Sequence, residues 1–320
     1  MNISLVNPYP NYNTHKTNSF KANKEISFRS TFDKTERNTL KFNDEGVDWS
    51  YLINLTHFFR DAEVFTNPLV KYLKTEFPDG VKIYNYACSD GSEPYSLSIK
   101  LMNKLGEKKA QKYFPIIARD LSKKQIDQAQ KREINIDDSD KEKIYSNTSF
   151  LDLNELFNYR RTNDVGENYY SVKKKLADCV NFEQANLVLD AKNPENFTGN
   201  KKGPSVLIFR WAFYHLSDNA KKELFESLAN NPSFEPGSVI ILEPDCLGRL
   251  VSLDKQQIPL DKFIPLDKNF KEVNDKSPHS YYMFKKRSDS KNAVESQKTI
   301  HSAGQYFLKL LNPLIPQKQD

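Results

Sequence analysis

Cysteine is scarce in this chain: Cys88, Cys179 and Cys246 lie far apart, and none has a C-x-x-C partner. That excludes a disulfide framework and a thiolate zinc site, and it fits a reducing compartment. No apolar run approaches the roughly 18 residues a membrane helix needs, so no transmembrane segment is expected. The N-terminus lacks the apolar core of a secretory signal, and the expected location is cytoplasmic. Charge of one sign is not concentrated either. The net charge of +5 is spread along the chain, with Lys alternating with Asp and Glu in most windows. This describes a solvated surface rather than a nucleic-acid footprint. There is no internal repeat. What the chain does have is apolar mass: 320 residues, 38% hydrophobic, with 21 Phe and 16 Tyr, enough for one large domain or two small ones.

Residues 83–99, IYNYACSDGSEPYSLSI, are the most informative stretch. An apolar run ending at Tyr86 breaks into a small, turn-rich loop, Ala87-Cys88-Ser89-Asp90-Gly91. A helix start follows, with Pro94 near its first turn and Leu97, Ile99, Leu101 and Met102 as its apolar residues. Strand, tight turn and helix in this order open the nucleotide site of doubly wound α/β folds. The loop lacks the second and third glycines of a G-x-G-x-x-G array, which argues against a dinucleotide site. Glu93 sets a carboxylate where a ribose hydroxyl or an amino group is welcome and a phosphate is repelled.

Four parts are expected. Residues 1–38 are rich in Asn, Lys and Ser, without period, and read as a disordered tail. Residues 39–77 read as a helical segment, with Pro68 interrupting the pattern. Residues 78–287 alternate strand candidates (81–87, 114–119, 179–183, 205–210, 238–243, 280–285) with helix candidates (93–105, 122–131, 153–160, 217–230). Such alternation argues an α/β fold, a doubly wound, mostly parallel sheet with helices on both faces. Residues 288–320 read as a polar linker with a short helix over 301–314. One further marker ends the second strand candidate: Asp120 lies about 30 residues past the loop, where an acid accepts hydrogen bonds from ribose hydroxyls. Taken alone, Asp120 reads better as the cap of a helix beginning near Ser122; taken with the loop upstream, the ribose reading is the stronger.

Five ordered segments carry a family resemblance. They are Asn54-Leu55-Thr56-His57-Phe58-Phe59-Arg60-Asp61, the loop through Ser92-Glu93-Pro94-Tyr95-Ser96, Ala118-Arg119-Asp120-Leu121-Ser122, Val180-Asn181-Phe182-Glu183-Gln184-Ala185-Asn186-Leu187, and Val206-Leu207-Ile208-Phe209-Arg210. Over roughly residues 45–287 the chain resembles the CheR-type methyltransferases, chemotaxis enzymes that use S-adenosylmethionine to methylate glutamate side chains of receptors. The resemblance implies a Rossmann-like class I methyltransferase fold with a small helical N-terminal segment and a small inserted β subdomain between Ile134 and Lys175. Residues 151–170, which fall there, are rich in Asn and Tyr.

By the same resemblance, Arg60 and Thr56 hold the polar end of S-adenosylmethionine, with Asn54 on the same segment, and Ala87 and Ser89 bring the loop backbone close. Glu93 accepts from the ammonium or a nearby donor, and Asp120 from the ribose. Asn186 and Leu187 meet the adenine. Arg210 and Trp211 stand at the carboxyl end of the fourth core strand, where open α/β sheets place ligands, and Trp211 is a candidate to stack on the adenine or the substrate. Arg60, Tyr214 and His215 are the candidates for catalysis. The bland alternatives are core packing for Phe58 and Phe59, and a surface salt bridge to Asp61 or Glu63 for Arg60. The chain departs from the family pattern at Ala87 (Gly), Ser92 (Glu), Trp211 (Asn) and His215 (Tyr), with Tyr214 shifted by one. A glutamate acceptor, in a protein tail like a chemoreceptor's, requires no general base, because its carboxylate is ionised near pH 7. Three readings stay open for a protein expected to be a monomer without a metal. They are O-methylation of protein glutamates, methylation of another acceptor with His215 as base, and a non-catalytic module that keeps the cofactor.

Overall fold

The computed structural model describes residues 56–63, 65–148, 153–197, 203–242, 259, 261–267, 269–272 and 283–288, all within the unit Asp44–Asp320. Asn54, most of the expected linker and the expected tail (1–38) and C-terminal helix (301–314) lie outside them. In chain order the strands are β1 (Lys82–Tyr86), β2 (Ile116–Asp120), β3 (Glu133–Asn135), β4 (Phe157–Thr162), β5 (Asn168–Val172), β6 (Val180–Gln184), β7 (Ser205–Phe209), β8 (Val239–Ile241), β9 (Phe263–Leu266) and β10 (Met283–Lys286). The helices that matter below are α1 (Thr66–Glu76), α2 (Ser92–Leu105), α3 (Lys123–Gln130), α4 (Asp138–Asn147), α5 (Leu187–Asp190) and α6 (Asp218–Asn230). No described helix is long and apolar enough to cross a membrane.

Seven strands form one sheet in the order β6-β2-β1-β7-β8-β10-β9. All neighbours pair in parallel except at β10, which is antiparallel to both β8 and β9. Every residue of β7, Ser-Val-Leu-Ile-Phe, is buried. A strand covered on both faces reads as such a continuous apolar run. Alternate side chains feed two cores. Ile83, Val206, Ile208 and Ile241 pack with Leu69 and Leu73 of α1 and Leu97 and Leu101 of α2. Tyr84, Tyr86, Leu207, Phe209 and Ile240 pack with Leu187 of α5 and Leu224, Phe225 and Leu228 of α6. Each large apolar side chain removed from water in these layers contributes about 1.5–3 kcal/mol. This is the doubly wound α/β architecture expected.

Between α3 and β6 a separate three-stranded sheet, in the order β3-β5-β4, forms the inserted subdomain. Here one expectation fails. The helix assigned to 153–160 is helical only over Leu153–Leu156, and β4 begins at Phe157. Cross-strand pairing with β5 outweighs local helix pattern: Tyr159 stands opposite Tyr170 with the rings edge to face, centroids 5.6 Å apart.

The sheet's strand order reverses at β1. From there the chain moves out to β2 and β6, and returns to place β7 on the other side. Ligands of open α/β sheets bind outside the carboxyl ends of strands at such a switch point. The loop after Tyr86 and the residues after Phe209 therefore meet at the place where a ligand belongs.

Candidate active site

The loop after β1 is held by a tight set of backbone bonds. Cys88 N–H donates to the Arg119 carbonyl at 3.1 Å, and Gly91 N–H to the Cys88 carbonyl at 3.0 Å. Ala87, Ser89 and Gly91 all have left-handed backbones, with φ of 57°, 50° and 95°. Gly91 is required twice over: a Cβ there would come within 2.7 Å of the Phe182 ring, in a backbone conformation L residues avoid. Asp90 closes the loop onto α2, its Oδ1 accepting from Ser92 N–H at 2.9 Å and Ser92 Oγ at 2.8 Å.

Asp120 ends β2 and ties it to this loop. Its Oδ2 accepts the Ser89 N–H at 2.9 Å and its Oδ1 accepts the Ser122 N–H at 2.9 Å. The cap of α3 is Ser122, whose hydroxyl accepts from Gln125 N–H, so the capping alternative for Asp120 falls. Burial pushes the Asp120 carboxyl up, against the N–H groups of Ser122, Ser89 and Leu121. Each carboxylate oxygen has a second lone pair, so acceptor capacity for a diol remains. Cys88 sits within the field of these acids. Burial raises its thiol pKa well above the ordinary value, and Asp120, Asp90 and Glu93 raise it further. A buried thiol under negative charge is inert as a nucleophile.

Arg210 follows β7, and its side chain is 1% exposed. Its Nη1 donates to Glu93 Oε2 at 2.5 Å and its Nη2 to Asp61 Oδ2 at 2.7 Å. The guanidinium also lies over the Phe65 ring, 4.0 Å from its centroid. Glu93 Oε1 accepts from Asn85 Nδ2 at 2.6 Å. Asp61 pairs with Arg210, and Glu63 accepts from Asn67 at 2.8 Å. The Arg60 guanidinium lies 3.7 Å from the centroid of the Trp211 ring. Phe58 and Phe59 are buried in the first core. Their backbone fixes the segment, with Phe59 N–H on Ser96 Oγ at 2.8 Å and Phe58 N–H on Asp140 Oδ1 at 3.1 Å. Thr56 lies half-buried two residues earlier.

Asn186 caps α5, its Oδ1 accepting from Val188 N–H at 2.8 Å, and Leu187 is buried in the second core. His215 is half-buried in a short turn, Phe213–His215, that also holds the backbone of Tyr214. The sequence reading thus brought Arg60, Ala87, Ser89, Glu93, Asp120, Arg210 and Trp211 to the ends of β1, β2 and β7. It missed Asp61 and Asn85 as their supports. Asn85 carried a signal: a polar residue inside the apolar run Ile-Tyr-Asn-Tyr, fully buried here. It also missed a cluster behind the loop, in which Arg119 Nη1 donates to Tyr86 Oη at 2.7 Å and Asp190 Oδ2 at 3.1 Å, bracing α5 against β1 and β2.

One group of described donors is close enough to hold a metal: His57, Asp137 and Asp140, with ligand atoms within 4.8 Å of one another. Its carboxylates already have structural tasks. Asp137 Oδ1 accepts Asp140 N–H at 2.7 Å as the cap of α4, and the Lys143 ammonium stands 3.8 Å from Asp140.

The donor set fits S-adenosylmethionine. Glu93 and Asp120 suit a ligand bearing an ammonium, a sulfonium and a ribose diol, Arg60 suits a carboxylate, and none of the acids suits a phosphate. Asn85 Oδ1 and Arg210 Nε are also buried without hydrogen-bond partners among the described residues. Orphaned polar atoms of this kind mark places where a further group completes the structure.

Comparison with known proteins agrees. The family model of the CheR methyltransferase SAM-binding domain matches residues 54–242, more than half of the chain. A chemotaxis protein methyltransferase of Borreliella burgdorferi is 26% identical over 149 residues, 44% of this chain and 48% of that protein. The chain thus spans about half the length of this relative. Among solved structures, one of the methyltransferase domain of bacterial CtHen1 is 14% identical, covering 72% of this chain and 100% of that one at a TM-score of 0.37. A second CtHen1 structure covers 57% and 66% at 14% identity and a TM-score of 0.32. Likeness at that level carries no argument here. The family match, together with the loop, Asp120 and the Glu93–Arg210 pair at the sheet's switch point, is sufficient: the chain belongs to the CheR methyltransferase family, through its SAM-binding domain.

Proposed function

We propose that the protein is a cytoplasmic S-adenosylmethionine-dependent methyltransferase whose acceptor is the glutamate carboxylate of another protein. The observation that supports it most is the ring of acids at the switch point. Asp120, at the end of β2, is braced by two backbone N–H groups, Glu93 is fixed by Arg210 and Asn85, and Arg60 lies on Trp211, the residue after Arg210. Bound S-adenosylmethionine would supply a methyl already activated by its sulfonium. In this reading Asp120 accepts from the ribose hydroxyls, Glu93 from the ammonium, and Arg60 donates to the carboxylate, with Thr56 beside it.

The chain's own work is alignment and exclusion of water. A carboxylate acceptor is ionised near pH 7 and already nucleophilic, so no residue must remove a proton. Holding the two reactants in line supplies up to about 7–11 kcal/mol of the barrier. Held by Asp120, Glu93 and Arg60, S-adenosylmethionine would supply its methyl to the acceptor oxygen and would leave as the neutral thioether, the product being a methyl ester.

Calorimetric titration of the full chain with S-adenosylmethionine and S-adenosylhomocysteine tests the first half. Wild type should bind both, and Asp120→Ala should weaken both by at least about tenfold. No heat from either ligand refutes the reading. Radiolabelled methyl transfer into protein extract tests the second half: the label should be released by mild base, as a carboxyl ester is. A base-stable label that disappears with His215→Ala would instead favour a hydroxyl or amine acceptor, which needs a base.

A further inference from the structure

Two adjacent residues of the segment before α1 meet two adjacent residues after β7. Arg60 lies on Trp211 and Asp61 pairs with Arg210. Of the cation–ring contacts among the described residues, Arg60 on Trp211 is the shortest, at 3.7 Å. Both sides of this clasp carry left-handed backbone, Asp61 at φ 57° and Trp211 at φ 59°. Bulky residues avoid that region, and they keep it only where surrounding contacts over-determine it.

We infer that Trp211 is a positioning residue, whose indole face fixes the Arg60 guanidinium for the carboxylate at the amino-acid end of the cofactor. The inference rests on the role proposed above for Arg60. An arginine side chain has many rotamers, and ordering it at the moment of binding weakens the complex. Stacking on an indole uses the face of the guanidinium and keeps its N–H edge as the hydrogen-bonding surface, which is the edge a carboxylate meets bidentately. The neighbouring Asp61–Arg210 pair holds the two segments in register, so the stack is ordered before a ligand arrives.

The alternative role for Trp211, contact with the adenosine itself, makes a different prediction. Titrations with S-adenosylhomocysteine and with 5′-methylthioadenosine, which has the same adenosine and thioether but no carboxylate, separate the two. Trp211→Ala should weaken S-adenosylhomocysteine about tenfold, equivalent to about 1.4 kcal/mol, and leave methylthioadenosine within twofold. Trp211→Phe, which keeps a ring with a weaker attraction for cations, should lose less, and it carries the comparison if the alanine variant melts without cooperativity. In an Arg60→Ala background, Trp211→Ala should add nothing. Equal losses for both ligands, or additive losses in the double variant, overturn the inference while leaving cofactor binding intact. Wild-type protein that binds neither ligand overturns the proposed function and this inference together.

Discussion

Arg210 holds Glu93 through a charge-assisted hydrogen bond of 2.5 Å, with the arginine side chain 1% exposed and the glutamate 16%. Withdrawing a guanidinium from water costs several kcal/mol, and here two carboxylates and the Phe65 ring offset it. Removing Arg210 leaves two partly buried carboxylates without their guanidinium, Glu93 keeping only Asn85. Arg210→Met should therefore destabilise the fold by about 3 kcal/mol, lowering the melting temperature by about 6–12 °C. Adding Glu93→Gln and Asp61→Asn to it should recover part of the loss. A single variant melting within about 2 °C of wild type would mean the buried pair contributes nothing.

Ala87 and Gly91 make an opposed pair of predictions. Ala87 sits at φ 57°, where an L residue costs about 1–2 kcal/mol. Ala87→Gly relieves that strain but enlarges the freedom of the unfolded chain, which returns about 0.4–1 kcal/mol. The net expectation is a stabilisation of up to about 1.6 kcal/mol. Gly91→Ala should go the other way by about 2 kcal/mol or more, because strain at φ 95° adds to the contact with Phe182. Phe182→Leu should recover only the contact part. Urea denaturation with an unchanged m-value reads both effects, and a destabilising Ala87→Gly would contradict the strain argument.

Asp140 accepts the Phe58 N–H, and so anchors the segment that carries Arg60. Burial, and then Asp137, push its carboxyl up to about 6, against Lys143, His57 and the Phe58 N–H. A carboxyl with a folded pKa above its unfolded value binds more protons in the folded state between about pH 4 and 6. Stability should therefore fall as pH rises through that window and stay lower above it. At 1.36 kcal/mol per unit, the loss is up to about 3 kcal/mol. Asp140→Asn keeps an acceptor for Phe58 and removes the charge. It should match wild type near pH 4 and exceed it at pH 7.5 in urea denaturation. A difference between the two proteins that does not vary with pH would rule this out.

Much of the scaffold was legible beforehand, because burial on both faces writes itself as apolar runs. The candidates 81–87, 114–119, 179–183 and 205–210 became β1, β2, β6 and β7 within a residue or two. The inserted sheet was harder. In β4 all residues after Phe157 are exposed, so no apolar alternation marks the strand, and its conformation depends on β5. Asp120 was found by position, but its grip on Ser89 N–H, 31 residues away, was not.

The order of elements, the small turn after Tyr86 and the acid after β2 follow from the amino-acid sequence by itself, since periodicity and turn chemistry act between near neighbours. The partners of the charged groups do not. Glu93 and Arg210 are 117 residues apart, and Asp61 and Arg210 are 149 apart. They meet because β7 pairs with β1 rather than with β6, the strand before it in the chain, and that strand order lowers the free energy only when both apolar layers close at once.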